Sequence, residues 1–245
     1  MKRAAFTPGS SDDPGVRAVA ARAVELVEDG ARIGLGSGRA ASLFITLLGA
    51  RMRDGLRVSG VPTSDAVAGL AREAGISLID LEECETLDMT VDGADEVAPS
   101  LDLIKGWGGA LVRERIVAAA SRTQVILVSE DKLVLTLGER ARIPVEVIPL
   151  AGRLVTGHLR ELGVSPTRRL DTQGWRPFVT ENGNCIIDCA LSTPFTNAND
   201  ARNLEQDILG LVGVVDTGLF LGTADKVLVR YSDGRIETLL RPKSL

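Results

Sequence analysis

Histidine is almost missing from this 245-residue chain: His158 is the only one. Any mechanism built on a histidine base or a histidine-rich metal site would have to run through that residue. Its setting, LVTGHLREL, is a helical pattern that places it at a surface or an interface. Cysteine is scarce too. Cys84, Cys185 and Cys189 are odd in number and form no CxxC pair, which argues against a zinc site and a disulfide framework and fits a reducing, cytoplasmic setting. Aromatic residues make up 3%, so the core has to be Leu, Val, Ile and Ala, a mixture suited to a parallel sheet covered by helices rather than a sandwich. No basic run occurs and the net charge is −5, so nucleic acid is not expected as a partner, whereas a small anion remains compatible with a local basic pocket. No stretch is long and apolar enough to span a bilayer, so no membrane partner is expected. The opening run MKRAAFTPGSSDDPG lacks the apolar segment of a secretory signal, and its first ten or so residues read as a loose tail.

What the chain does have is a repeating rhythm of strand and helix. Asp12 and Asp13 before Pro14 start a helix, with Val16, Val19, Ala20, Ala23, Val24 and Val27 on one face. A strand over 32–35 runs into Gly34-Leu35-Gly36-Ser37-Gly38, and a helix follows over 39–48. Glycines after a strand let a backbone approach a phosphate, and the next helix offers free N–H groups. A tight turn with no ligand reads equally well, and with Ala41 as its last position the loop stays compatible with a dinucleotide fingerprint; a P-loop is excluded, since no GK[ST] follows. Strands over 56–61, 76–79 and 87–91 and a helix over 65–73 capped by Ser64 continue the pattern. Alternation of this kind implies a doubly wound, mostly parallel Rossmann-like α/β sheet, with ligands beyond the carboxyl ends of its strands. Ser37, Thr63-Ser64 and Asp92 all stand at such ends.

The stretch 88–114, DMTVDGADEVAPSLDLIKGWGGALVRE, concentrates the chemistry. It holds Asp92 and Asp95, then Lys105, the glycine turn of Gly106, Gly108 and Gly109, and Glu114 near the start of a helix over 110–121. A carboxylate, an ammonium and backbone N–H donors are the parts for moving a proton on a carbon beside a carbonyl. Val112, Ile116, Val117 and Ala120 form the expected apolar face of that helix, with Glu114 off it.

DGADE followed by LIKGWGGALVRE resembles the signature of the ribose-5-phosphate isomerase A family. AVELVEDG, GLGSG, VPTS, AREAGISL, VSEDK, IPVEVIP, TENGN and GVVDTGLF extend the similarity through most of the chain in one order. The resemblance implies an aldose–ketose isomerase interconverting ribose 5-phosphate and ribulose 5-phosphate, with no metal or organic cofactor, acting as a homodimer or homotetramer. It makes Glu114 the base that carries a proton between C1 and C2. Asp92, Asp95 and Lys105 bind sugar hydroxyls and assist ring opening, and the 106–109 backbone steadies the enediolate. Ser37 and Gly38, with Lys132 after a strand over 125–128, lie around the substrate near its phosphate. The family loop Gly-Thr-Gly-Ser-Thr is here Gly36-Ser37-Gly38-Arg39-Ala40, so Arg39 stands where a phosphate-binding hydroxyl is usual. Arg115 replaces a lysine and Glu181 an aspartate. The altered loop leaves an isomerase of another phosphorylated sugar as an alternative. A non-catalytic sugar-phosphate sensor is a third reading, opposed by the intact acid–base set. A dehydrogenase is a fourth, opposed by the lack of an acid at the end of the second strand.

The second half changes character. Strands are expected over 143–148, 167–170, 178–180, 185–191 and 212–215, with helices over 150–162 and 203–209 and a hairpin at Asn182-Gly183. The order resembles a ferredoxin-like split βαβ, which suggests a small α+β lid domain over 143–216 inserted into a catalytic domain of 1–142 plus 217–245. Residues 218–220 and 227–231 are expected to return to the main sheet.

Overall fold

The computed structural model describes residues 13–241; the loose tail expected at the N-terminus lies outside them. The chain begins with α1 (Pro14–Val24), β1 (Ala31–Leu35), α2 (Arg39–Arg53), β2 (Val58–Pro62), α3 (Asp65–Glu73) and β3 (Ser77–Leu78). β4 (Met89–Asp92), β5 (Glu96–Val97), β6 (Leu103–Ile104), α4 (Leu111–Ala119) and β7 (Gln124–Ser129) follow. Next come β8 (Ile143–Val147), α5 (Gly152–Glu161), β9 (Ser165–Arg168), β10 (Cys185–Ala190), α6 (Ala198–Leu209) and β11 (Val214–Thr217). The described chain closes with β12 (Leu219–Phe220), β13 (Lys226–Arg230) and β14 (Ile236–Leu240).

The main sheet has seven strands in the order β14-β13-β7-β4-β1-β2-β3, all parallel except β14. Its strands read as apolar runs because both faces are covered. Val125 and Leu127 of β7 pack with Val19, Ala23, Phe44 and Leu48 of α1 and α2, while Ile126 and Val128 face Leu103 and Phe220. Burying a side chain such as Phe44 completely contributes about 1.5–3 kcal/mol. Local signals mark the helix starts: the Asp13 carboxylate accepts from the N–H groups of Gly15 and Val16, and Ser64 Oγ accepts from Val67 N at 3.2 Å. From β1 the chain winds outward through β2 and β3, then returns to lay β4 on the other side of β1. The winding direction reverses there, so the loops leaving β1 and β4 part and open a crevice at their carboxyl ends.

The second sheet, β11-β8-β10-β9, is antiparallel throughout. With α5 between β8 and β9 and α6 between β10 and β11, this is the ferredoxin-like order. Cys185, Ile187 and Cys189 of β10 face a core with Val145, Val155, Leu159 and Ile208, and all three cysteines are free thiols.

Two expectations fail. Residues 218–220 do not rejoin the main sheet: β12 pairs with β6, and β6 with β5, in a three-stranded sheet of their own. Two-residue strands carry no periodicity to read. Residues 178–180 form no strand, only single bridges such as Val179 with Cys185, although the turn at Asn182-Gly183 is present, with Gly183 at φ +80°. The side chains of 180–184 are committed elsewhere: the Glu146 carboxylate accepts from Thr180 Oγ1 at 2.9 Å, Asn182 Nδ2 at 3.0 Å and Asn184 Nδ2 at 2.9 Å.

Candidate active site

At the crevice between β1 and β4 the chain buries a cluster of charges. Lys105 Nζ lies 2.9 Å from Asp92 Oδ2, 3.1 Å from Glu114 Oε2 and 2.6 Å from the Gly93 carbonyl. The lysine side chain is 2% exposed and each carboxylate 3%, so little solvent screens them. Ser37 joins the two acids. Its backbone N–H donates to Asp92 Oδ1 at 2.9 Å, and its hydroxyl donates to Glu114 Oε1 at 2.5 Å. Gly36 permits this approach, because a Cβ there would stand 2.3–2.4 Å from the Asp92 carboxyl group. Below Lys105 lies the ring of Phe220, with Nζ 5.5 Å and the Arg115 guanidinium 4.2 Å from its centroid.

Each partner alters the others. Burial first, and then the Glu114 carboxylate, push Asp92 up to about 7, against the pull of Lys105 and the Gly93 N–H. Burial opposes the charge on Lys105, but Asp92 and Glu114 outweigh it and hold the ammonium above its ordinary range. Asp95 is also raised by burial, opposed by the Trp107 N–H that donates to its Oδ2 at 3.0 Å. Glu114 Oε2 lies 3.1 Å from Lys105 Nζ and bonds no other protein group among the described residues.

The structure brings Asp92, Lys105, Glu114 and Ser37 into direct contact and places Asp95 beside them. Gly108 lies across from Ser37, its Cβ direction ending 4.0 Å from Ser37 Oγ. Within the 106–109 turn, Gly109 N donates to Gly106 O and Trp107 N to Asp95, so the exposed Gly108 N–H is one donor that bonds no protein group among the described residues. Gly38 (φ +89°) caps α2 without a side-chain bond, and Arg39 opens that helix, exposed and in no ion pair among the described residues. Lys132 ends a short turn after β7, half-buried, and its charge reaches Asp95.

Glu114 departs from the expected helix pattern. It lies on the buried side of α4 with Leu111 and Val117, whereas Ile116, expected on the apolar face, is half exposed. A salt bridge to a buried lysine on another segment overrides helical periodicity. Arg169 and Asp188 lie outside the motifs of the sequence. Arg169, buried beside β9, bonds Asp188 of β10 and the carbonyls of Gly106 and Trp107. Asp188 was detectable as a lone acid within the apolar run Cys185-Ile186-Ile187-Asp188-Cys189, since a buried carboxylate requires a cation. Glu96 is buried and accepts from the N–H groups of Gly138, Arg140 and Ala141. Arg115 reaches Asp216 Oδ2 at 2.6 Å and the carbonyls of Thr217 and Leu219 at 2.7 Å, a spread of donors that a lysine lacks. Glu181 accepts from Asp65 N at the start of α3 at 3.0 Å and pairs with Arg113 at 2.5 Å.

A profile of the family Ribose 5-phosphate isomerase A (phosphoriboisomerase A) matches residues 59–234. The chain belongs to the ribose 5-phosphate isomerase A family. It is 45% identical over 217 residues to ribose-5-phosphate isomerase A of Deinococcus radiodurans, covering 88% of this chain and 93% of the relative. The solved ribose 5-phosphate isomerase A of Methanocaldococcus jannaschii superposes with a TM-score of 0.86 at 45% identity, covering 94% of this chain and all of that one. A D-ribose-5-phosphate isomerase solved in complex with phospho-erythronic acid superposes at 0.88 with 35% identity, covering 94% and 99% of the two chains. These matches span both large sheets and the buried cluster.

Proposed function

We propose that this chain interconverts D-ribose 5-phosphate and D-ribulose 5-phosphate, with Glu114 as the base. The chain is an aldose–ketose isomerase by family membership. The observation that supports the assignment of roles is the Lys105–Asp92–Glu114 contact, buried at a strand-end crevice. Glu114 takes the proton from C2 of the open-chain aldose as the electron pair moves to form the C1–C2 double bond and charge builds on O1. The same proton returns to C1 as the carbonyl re-forms at C2. Nothing is gained or lost overall, so one carboxylate serves both half-reactions.

Asp92, poised near neutrality, can give a proton to one substrate oxygen and take one from another, as both ring opening and the O1/O2 exchange demand. Lys105 lowers the energy of negative charge on those oxygens. The Gly108 N–H is a further donor toward the same place. Lys132, and Arg39 with the first N–H groups of α2, form the phosphate end of the site. The small sheet over β8–β11 acts as a cover that shields the cluster from water.

The test is ketose formation from ribose 5-phosphate by the purified protein, beside other pentose and hexose phosphates. Glu114→Gln is expected to lower kcat by about 10²–10⁴ with KM largely kept. Near-normal turnover in that variant sinks the role of Glu114, and a preference for another sugar phosphate sinks the substrate.

A further inference from the structure

Arg169 and Asp188 touch none of the four acid–base residues, yet they are built like part of the site. Both are buried, 7% and 2% exposed, and they are joined by two parallel bonds, Nε to Oδ2 at 3.1 Å and Nη2 to Oδ1. The remaining donor, Nη1, reaches from the small sheet to the glycine turn after β6. It donates there to the carbonyl of Gly106 at 3.1 Å and to that of Trp107 at 2.9 Å. The rings of Trp107 and Phe178 flank the guanidinium at 5.8 and 5.9 Å.

In a trans peptide the C=O and the following N–H point in opposite directions. A cation that grips two successive carbonyls therefore aims the next two N–H groups the other way. The first of them, Trp107 N–H, does point to the acid cluster, since it donates to Asp95 Oδ2 at 3.0 Å. The second, Gly108 N–H, is turned by the same grip at a residue that faces Ser37. A hydrogen bond at each carbonyl also polarises its peptide and strengthens the N–H as a donor. Asp188 in turn orients the guanidinium.

We propose that Arg169 and Asp188 are a positioning pair that fixes the Gly106–Gly109 turn and aims the Gly108 N–H at the oxygen that becomes negative as the enediolate forms. The proposal rests on the isomerase reading of the site. A donor of this kind acts on the transition state more than on bound sugar, so its loss appears in kcat and not in KM.

The test uses Arg169→Lys, Asp188→Asn and the double variant R169M/D188L, which removes both charges together and so leaves no lone buried ion. Two constants are compared in each folded variant, checked by its melting curve: KM for ribose 5-phosphate, and Ki for phospho-erythronic acid. The carboxylate of that acid carries two oxygens and a negative charge where the enediolate does. In the double variant kcat is expected to fall about 10²-fold, the loss seen when one transition-state donor is removed. Ki is expected to rise at least about tenfold while KM stays within about threefold. Arg169→Lys, which keeps the charge but not the fork, is expected to recover only part of kcat. A folded double variant with unchanged kcat, or one in which Ki and KM move together, overturns the proposal. A wild-type protein that does not turn over ribose 5-phosphate overturns the isomerase reading and this proposal with it, whereas an active wild type beside an unaffected double variant overturns the pair alone.

Discussion

Replacing Asp92 by asparagine isolates the electrostatics of the buried cluster. One ammonium faces two carboxylates, so with both acids ionised the cluster holds an uncompensated charge out of contact with water. Burial and the Glu114 carboxylate push Asp92 from 3.8 to about 7 in the folded protein, and unfolding returns it to the ordinary carboxylate range. Through this window the folded state keeps a proton that the unfolded chain releases. The contribution to stability is therefore fully present below about pH 4 and is lost as pH rises through about 7. From 3.8 to about 7, at about 1.4 kcal/mol per pH unit, the linkage amounts to about 4 kcal/mol. Asparagine retains an oxygen to accept from the N–H groups of Ser37 and Gly93 but cannot titrate. Urea unfolding of both proteins between about pH 4.5 and about pH 8 measures the effect, and the shared titrations of surface groups cancel in the difference. The stability of wild type relative to Asp92→Asn is expected to fall by most of that amount as pH rises. A difference that stays flat, or that grows with pH, refutes the account of the cluster.

Gly36→Ala would press a methyl group into the Asp92 carboxyl group, and displacing that carboxylate is expected to lower kcat by about 10² with the fold retained; unchanged turnover would mean the contact has no catalytic consequence. Arg39→Ala and Lys132→Ala are expected to raise KM for ribose 5-phosphate with little change in kcat and to weaken its dependence on salt. An unaltered KM in either variant removes that residue from the phosphate end.

The alternation of strands and helices was legible because each repeat carries its own local signals: Asp13 and Ser64 as caps, and apolar runs such as 125–128. The members of the acid–base set were legible as well, since they crowd into 27 residues that the family resemblance covers. How those residues are oriented was not. Glu114 lies on the inner face of its helix because Lys105, on a different segment, compensates it, and no window of helical periodicity contains that partner. Ser37 read as a phosphate residue, yet its hydroxyl is bonded to Glu114. Arg169 and Asp188 are separated by 19 positions from each other and by more than 60 from the turn they hold. The first pairing comes from the register of β10 on β9 and the second from the packing of that sheet against the turn after β6, neither of which short-range patterns encode.

The backbone N–H of Lys105 donates to the carbonyl of Gly218 at 2.9 Å, and the Gly218 N–H donates to Pro144 O at 2.7 Å. Arg115 is tied to Asp216, Thr217 and Leu219 in the same neighbourhood. A chain leaving the ribosome has made Asp92, Asp95, Lys105 and Glu114 by position 114. It cannot seat them until roughly a hundred further residues have emerged and the returning segment at 216–220 has come alongside. Assembly of this cluster thus waits on the last part of the chain, and a chain that stops short of 216 carries the proposed acid–base residues without the contacts that hold them here.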